Sequence, residues 1–356
     1  MRSIVDRPAV VTGGVDTHLD VHVGVVVDEV GRVLGTGDFA ADAKGYRALL
    51  RWMRGFGELA KVGVEGTGAY GAGLARYLAR QGVMVVEVNR PNRQARRRRG
   101  KSDPADAEAA ARAALNGEAS GQPKAGTGVV ESIRALRVAR RGAVKAATQA
   151  LNQLKDLVVT APDELRARLK GLSNSERVEV AAKFRPGPFD EPAEATKLAM
   201  RAVARRYQAL QAEIARLDAA ITDLVPEAAP EAFLAKQGVG PQVAAIILTT
   251  VGGNPDRLMS EASFAALCGA SPVDASSGKQ VRHRLNLGGD RQANSALWRI
   301  AFTRMTFDPR TKAYVERRTK EGKTEKEIMR CLKRYIAREI YKSLVAPTSS
   351  IASRAA

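Results

Sequence analysis

The chain is short of the residues on which soft-metal and redox sites depend: two cysteines and three histidines in 356 residues. Cys268 and Cys331 cannot build a disulfide framework, so a reduced, cytosolic protein is expected, and both read as small buried hydrophobes. Aromatic residues make up only 5%, which leaves contact with a nucleic-acid backbone, rather than base stacking, as the main expected mode of binding. No apolar run approaches the length of a membrane span. The first residues, Met1-Arg2-Ser3-Ile4-Val5-Asp6, lack the apolar core of a signal peptide. Acidic residues are outnumbered 38 to 57 by Lys and Arg, a net charge of +19. That surplus favours a polyanionic partner, because basic side chains gain affinity by releasing counterions from phosphates. Nucleic acid, not membrane, is the partner to expect.

With a hydrophobic content of 45%, the chain is long enough for two or three domains with sizeable cores. Its first ordered stretch is Val10-Val11-Thr12-Gly13-Gly14-Val15-Asp16-Thr17-His18, a strand ending in a carboxylate, with Val21 to Val27 as its hairpin partner. A carboxylate in a buried strand is costly unless something neutralises it, so Asp16 points to a bound cation. A strand-end Asp bonding the amides of the next turn is the plain alternative. His18 and His22 straddle the hairpin start and read as outward-facing or supporting groups rather than ligands. A third strand, Arg32 to Asp38, follows the turn at 28–31. An amphipathic helix over 41–56 presents Tyr46, Leu49, Leu50 and Met53 on one face.

Lys61 to Glu65 is a fourth strand, ending in a second carboxylate and a Gly-rich turn that lacks both the P-loop Lys-Ser/Thr and the spaced glycines of a dinucleotide fingerprint. A helix through Leu74, Tyr77 and Leu78 and a strand over 83–88 complete the pattern. Three antiparallel strands, then helix, strand, helix, strand, is the order of an α/β ribonuclease H-like domain. Next comes a basic run with four consecutive arginines, Arg96, Arg97, Arg98 and Arg99, then Lys101. It reads either as a nucleic-acid clamp or as a solvated charge run. The segment Ser102-Asp103-Pro104-Ala105-Asp106 opens a helix. Ser102 or Asp103 is suited to the cap and Pro104 to the first turn. Asp103 and Asp106, three apart, share one side of that turn. Capping and dipole complementarity explain either aspartate singly. They do not explain four acidic groups at the ends of elements in one small domain. Asp16, Glu65, Asp103 and Asp106 together make a site for divalent cations. Phosphodiester chemistry uses two hard ions about 4 Å apart, and Mg²⁺ favours carboxylate oxygen.

The spacing of Asp16 and Glu65, followed by the Ser-Asp-Pro-Ala-Asp-Ala run, resembles the N-terminal DEDD domain of insertion-sequence transposases of the IS110 family, a domain similar to the junction resolvase RuvC. The resemblance covers about residues 10 to 115 and places the family's acidic tetrad on Asp16, Glu65, Asp103 and Asp106.

From Thr127 to Leu224 the pattern becomes two long helices, over 129–159 and 191–224, with a turn-rich break at Arg185 to Phe189. An antiparallel pair, a self-association arm or a plain scaffold hairpin all fit. The stretch Phe233 to Ala244 holds Gly238 and Gly240 between two helices. It resembles a helix-hairpin-helix, whose backbone amides contact phosphate, with a structural turn as the rival. Beyond it lies Ala275-Ser276-Ser277-Gly278-Lys279, then Arg282-His283-Arg284 and Gly288-Gly289-Asp290. The serines suit presentation of a hydroxyl to a phosphate, with Lys279, Arg282 and Arg284 offsetting charge. On the residues alone, a flexible polar loop that touches DNA passively is the favoured reading.

The same family carries a nucleophilic serine in a Ser-Gly loop, which the resemblance places on Ser277, or on Ser276 beside it. The final helix, over 325–345, carries Lys326, Arg330, Lys333, Arg334, Arg338 and Lys342 opposite an apolar face. The resulting expectation is a RuvC-like catalytic domain (1–118), a helical connector (119–229), a mainly α C-terminal transposase domain (230–346) and a disordered tail (347–356). The resemblance implies a DNA recombinase acting on donor and target DNA with Mg²⁺, guided by a bridge RNA, as a homo-oligomer in the bacterial cytosol. A metal-dependent junction-type nuclease in which Ser277 is incidental, and a non-enzymatic nucleic-acid-binding protein, are the rivals.

Overall fold

The computed structural model describes residues 9–88, 102–278 and 283–345. The chain forms two compact units. One comprises residues 1–126 with 251–259; the other comprises 127–250 with 260–356.

The first unit is built on a five-stranded sheet. Strands β1 (Val10–Thr17), β2 (Val21–Val27) and β3 (Val33–Ala40) form the antiparallel meander, and β4 (Glu58–Glu65) and β5 (Met84–Val88) are added parallel to β1. The order across the sheet is β3-β2-β1-β4-β5. Side chains alternate between faces along a strand, so each strand divides its residues between two cores. On one face Val11, Val15, Val26, Val62 and Val64 pack against α1 (Ala43–Arg54) and α2 (Ala72–Arg80) through Leu49, Leu50, Met53, Leu74 and Leu78. On the other, Val23, Val25 and Val27 meet Ala107 and Ala111 of α3 (Asp103–Leu115). Both faces of the central strands are therefore covered, which is why β1 and β2 are buried on both sides and show no alternating exposed face. Helix α1 is shorter than its pattern implied because Asp42 caps it, accepting from the Gly45 amide at 2.7 Å.

The second unit is helical. Helices α4 (Gly128–Thr160) and α7 (Pro192–Ala228) are its long elements. They run antiparallel: Arg140 pairs with Asp218, while Leu154 and Val158 share a core with Met200 and Val203. The residues between them are not a bare loop. Two short helices, α5 (Asp163–Lys170) and α6 (Asn174–Ala182), fold over that end and bury Leu165, Leu169, Val178 and Phe184. Ser173 and Glu176 close a reciprocal capping box at the start of α6. The remainder is α8 (Glu231–Leu234), α9 (Pro241–Val251), α10 (Glu261–Leu267), the two-residue strands β6 (Val273–Asp274) and β7 (His283–Arg284), and helices α11 (Arg291–Phe307), α12 (Pro309–Lys320) and α13 (Glu325–Val345). Among the described residues no helix is long and apolar enough to cross a membrane.

Several basic residues of the final helix serve the fold. Lys333 is buried, and its ammonium donates to Asn294 Oδ1 at 2.9 Å; the amide nitrogen of Asn294 donates to the Cys268 and Gly269 carbonyls. Arg334 and Arg338 both pair with Glu261. On the apolar side of α13, Ile328, Leu332, Ile336 and Ile340 are buried, but Tyr335 is exposed. Cys268 is buried, its thiol pushed up to about 12 by that burial, whereas Cys331 is only partly covered.

His22 is neither the outward-facing nor the supporting group expected of it. It lies on the α1 face of β2, fully buried and stacked on Tyr46 with ring centroids 5.6 Å apart, and neither ring nitrogen makes a hydrogen bond among the described residues. Burial pushes its pKa down, an effect the Val21 backbone offsets only in part. Above pH 6.5 folded and unfolded chains are both neutral here. Below it the unfolded chain takes up a proton that the folded chain refuses, so stability falls as pH drops towards the folded pKa. His22→Phe keeps the ring stack and removes the unsatisfied nitrogens. It is expected to stabilise the protein by about 1–3 kcal/mol, with the larger gain at pH 5.5 than at pH 7.5 in urea unfolding. Equal gains at both pH values would assign the effect to packing alone.

Candidate metal centre and serine hairpin

The carboxylates are gathered by backbone packing. Gly14 and Gly63 sit side by side on β1 and β4, where a side chain would collide with the helix above. A Cβ on Gly14 would strike the Ala107 carbonyl and the Ala111 amide, and one on Gly63 the Ala110 carbonyl. Helix α3 presents only alanines to this seam and so rests directly on the sheet. Its first turn comes down over the C-terminal ends of β1 and β4. Ser102 occupies the cap position in an extended conformation, making no side-chain cap bond, with Asp103 and Asp106 in the first turn.

Asp16 shares the α3 face of the sheet with Gly14 and is buried. By the same alternation Glu65 shares that face with Gly63, at the end of the neighbouring parallel strand. Ligand atoms of Asp16, His18 and Asp103 all lie within 4.8 Å of one another. His18 Nε2 is 3.1 Å from Asp16 Oδ2 and 3.4 Å from Asp103 Oδ1. Burial pushes the Asp16 carboxyl above the usual range; His18 counters this, and the Asp106 and Asp103 carboxylates add to it. Asp106 is buried in the same turn. The structure thus brings Asp16, Asp103 and Asp106 into one electrostatic cluster, with Glu65 at the adjoining strand end. Oxygen donors from two carboxylates beside one imidazole fit a hard divalent ion.

His18 was expected as an outward-facing or supporting group rather than a ligand, and it stands here beside two carboxylates. The available signal was its spacing: His18 follows Asp16 by two residues and so falls on the same side of the extended chain.

The other expected site residues lie in the second unit or outside the described residues. Ser276 and Ser277 occupy the exposed turn after β6, whose partner β7 pairs Val273 with Arg284 and Asp274 with His283. Asp274 Oδ1 accepts from the Ser276 hydroxyl at 2.5 Å and from its amide at 2.9 Å. Ser277 follows, before Gly278 with φ +57°. Arg284 is exposed on β7. Gly238 has φ +86° and packs against Ile300; Gly240 directly precedes α9. Arg96, Arg97, Arg98, Arg99, Lys101, Lys279 and Arg282 lie outside the described residues.

Two family models match the chain. Residues 13–161 match the DEDD transposase model of IS110 elements, and residues 231–316 match that of the IS116/IS110/IS902 transposase family. Together they take in most of the chain, and with it both the carboxylate cluster and the serine hairpin. The chain belongs to the IS110 transposase family. A curated relative, an uncharacterized protein of insertion element IS110 from Streptomyces coelicolor, is 33% identical over 93 residues. That match covers 26% of this chain and 23% of the relative.

The raised pKa of Asp16 fixes the sign of a test on this IS110-family centre. The ionised carboxylate costs stability in the metal-free protein, because folding favours its protonated form; this cost is felt above the folded pKa and vanishes below the unfolded one. In chelator at pH 7, Asp16→Asn is therefore expected to raise the melting temperature by a few degrees, with the gap closing on acidification. Added Mg²⁺ or Mn²⁺ should raise the melting temperature of wild type, as a ligand of the folded state does, and leave Asp16→Asn unmoved. An equal metal response in both proteins would place any cation elsewhere.

Proposed function

We propose that this protein is the transposase of an insertion sequence, cleaving and rejoining DNA with a divalent-cation centre on its RuvC-like first unit and a serine of its second. The observation that carries the reading is the convergence of Asp16, Asp103 and Asp106 on one covered face of the sheet, with Glu65 at the adjacent strand end. Like charges held this close repel unless cations neutralise them. Asp16, Glu65, Asp103 and Asp106 are the proposed ligands, with His18 supporting. Bound Mg²⁺, two ions in this reading, would activate the nucleophile and stabilise charge on the leaving oxygen.

The serine chemistry rests on the Ser-Ser-Gly sequence within the matched C-terminal domain. A serine hydroxyl attacks a backbone phosphorus, and the bond from phosphorus to one deoxyribose oxygen breaks. The leaving oxygen takes up a proton while the serine proton passes to solvent. The resulting phosphoserine conserves the ester bond energy, so a new strand can displace the serine. Arg284, with Lys279 and Arg282, is proposed to offset the phosphate charge, and Arg96 to Arg99 with Lys101 to hold the backbone. Ser277 is the preferred nucleophile. The Ser276 hydroxyl is already held by Asp274, a bond that shapes the turn. Donor and target DNA as substrates, a bridge RNA as guide, a homo-oligomeric assembly and a cytosolic setting belong to the same reading and rest on the family alone.

A denaturing gel of a labelled, nicked suicide substrate separates the recombinase from a nuclease. Wild type is expected to give a covalent protein–DNA adduct. Ser277→Ala should abolish the adduct and strand exchange while DNA binding persists, and Asp106→Asn should abolish both with the fold intact. An adduct that survives Ser277→Ala but not Ser276→Ala would move the nucleophile by one residue. Cleavage by wild type without any adduct would establish the water-using nuclease instead.

A further inference from the structure

Helix α11 continues the chain from the serine hairpin, and Asp290 caps it by accepting from the Gln292 and Ala293 amides at 2.7 and 3.0 Å. Its inner face, Ala293, Ala296, Leu297, Ile300 and Ala301, is buried. Its outer face carries Arg291, Ser295, Trp298, Arg299 and Phe302, all exposed. Trp298 and Phe302 stand one turn apart with ring centroids 5.1 Å apart and planes only 15° from parallel. They are 44% and 54% exposed, and Leu287, between hairpin and helix, is 86% exposed. Large apolar side chains gathered on a surface mark an interaction site more often than chance. Here their chemistry is specific. Two near-parallel rings form a step whose outer side can take a third flat ring, and the flanking Arg291 and Arg299 are in no ion pair among the described residues.

We propose that the stacked Trp298–Phe302 pair is a platform for an unpaired base of single-stranded nucleic acid, with Arg291 and Arg299 holding the adjoining phosphates. Charge complementarity around an aromatic step favours this occupant. A second copy of a chain carrying +19 would bring guanidinium against guanidinium, and a duplex hides its base faces in its own stack. An unpaired base offers a π-face to the rings and its phosphates to the cations at once. The inference rests on the nucleic-acid part of the function proposed above but not on its catalytic part. It also adds a local stacking contact to a protein whose low aromatic content otherwise favours backbone binding.

The chain has two tryptophans, so Trp298 can be observed directly, as the difference in emission between the full-length protein and its Trp298→Leu variant. In chelator, so that no strand is cut, the protein is titrated with short oligothymidylate, oligouridylate, an oligonucleotide of equal length whose residues are abasic, and a blunt duplex. Quenching of Trp298 by one or both single strands is expected, with none from the abasic strand or the duplex; the DNA and RNA arms identify which strand is held. Trp298→Leu and Phe302→Leu should each weaken single-strand binding about ten-fold, one base stack being of that size. The slope of affinity against salt should stay unchanged, because no phosphate contact is lost. Equal quenching by the abasic strand would overturn the proposal in favour of charge alone, as would unaltered affinity in both variants. Trp298 emission that varies with protein concentration, without nucleic acid, would overturn it in favour of a contact between copies. A missing phosphoserine adduct with base-dependent quenching intact would strike the catalytic reading only; the reverse pair of results would strike the platform only.

Discussion

The candidate centre depends on a close approach between helix and sheet. A helix usually stands off a sheet by the length of its side chains. Gly14, Gly63 and the alanines of Asp103–Leu115 remove that spacer, so the first turn of the helix reaches the strand ends where Asp16 and Glu65 sit. The short side chains of Asp103 and Asp106 could not span an ordinary gap. Adding one methyl group at Gly14 would lift the helix, and the carboxylates would separate without any of them being changed. The same approach makes the cluster costly, because it buries Asp16 beside two other carboxylates with, among the described residues, His18 alone to counter them. Local instability of this kind is expected where a ligand, rather than the chain itself, completes the charge balance.

The second unit solves a different problem. Its surplus of basic side chains is divided between those that hold the fold and those left to solvent. Lys333 supports Asn294, which in turn holds the carbonyls of Cys268 and Gly269 at the end of α10. Arg304 pairs with Glu339, and Arg334 and Arg338 with Glu261. These contacts fix the helices that flank the paired strands β6 and β7. Around that frame, Arg284, Arg291 and Arg299 remain exposed. A count of cations therefore overstates the binding surface, and position decides which of them can meet a phosphate.

Much of this was legible in the sequence, for identifiable reasons. The β-branched runs of β1 and β2, the turn residues at 28–31 and the Ser-Asp-Pro start of α3 are local signals, and the elements formed where they pointed. Asp16, Asp103 and Asp106 came together because strand ends and helix starts in such a sheet share one edge. The misses are tertiary. The outward or inward sense of His22 cannot be read from β2, because both faces of that strand are covered and alternation carries no contrast. The helices over 163–170 and 174–182 were hidden behind the stronger periodicity of the long pair, although Leu165 and Leu169 are four apart and Ser173 with Glu176 spell a capping box. Lys333 lies beside the seam of Ile328, Leu332, Ile336 and Ile340, close enough for its stem to be buried while its ammonium finds Asn294.

In the proposed reading, these two charge patterns make cation and DNA binding interdependent. A phosphodiester that approaches the metal-free cluster meets carboxylates and is repelled; one that approaches Arg284 or Arg291 is attracted whatever the state of the cluster. Nucleic acid can therefore be held by the second unit without being engaged by the first. Engagement at the cluster requires its charge to be reversed, and a bound phosphate in turn supplies oxygens that strengthen cation binding. Linkage makes that effect reciprocal: whatever factor the cation adds to phosphate affinity at the cluster, the phosphate adds to cation affinity. A chain built in this way can bind nucleic acid broadly while confining phosphodiester chemistry to complexes in which cation and strand have both arrived at Asp16.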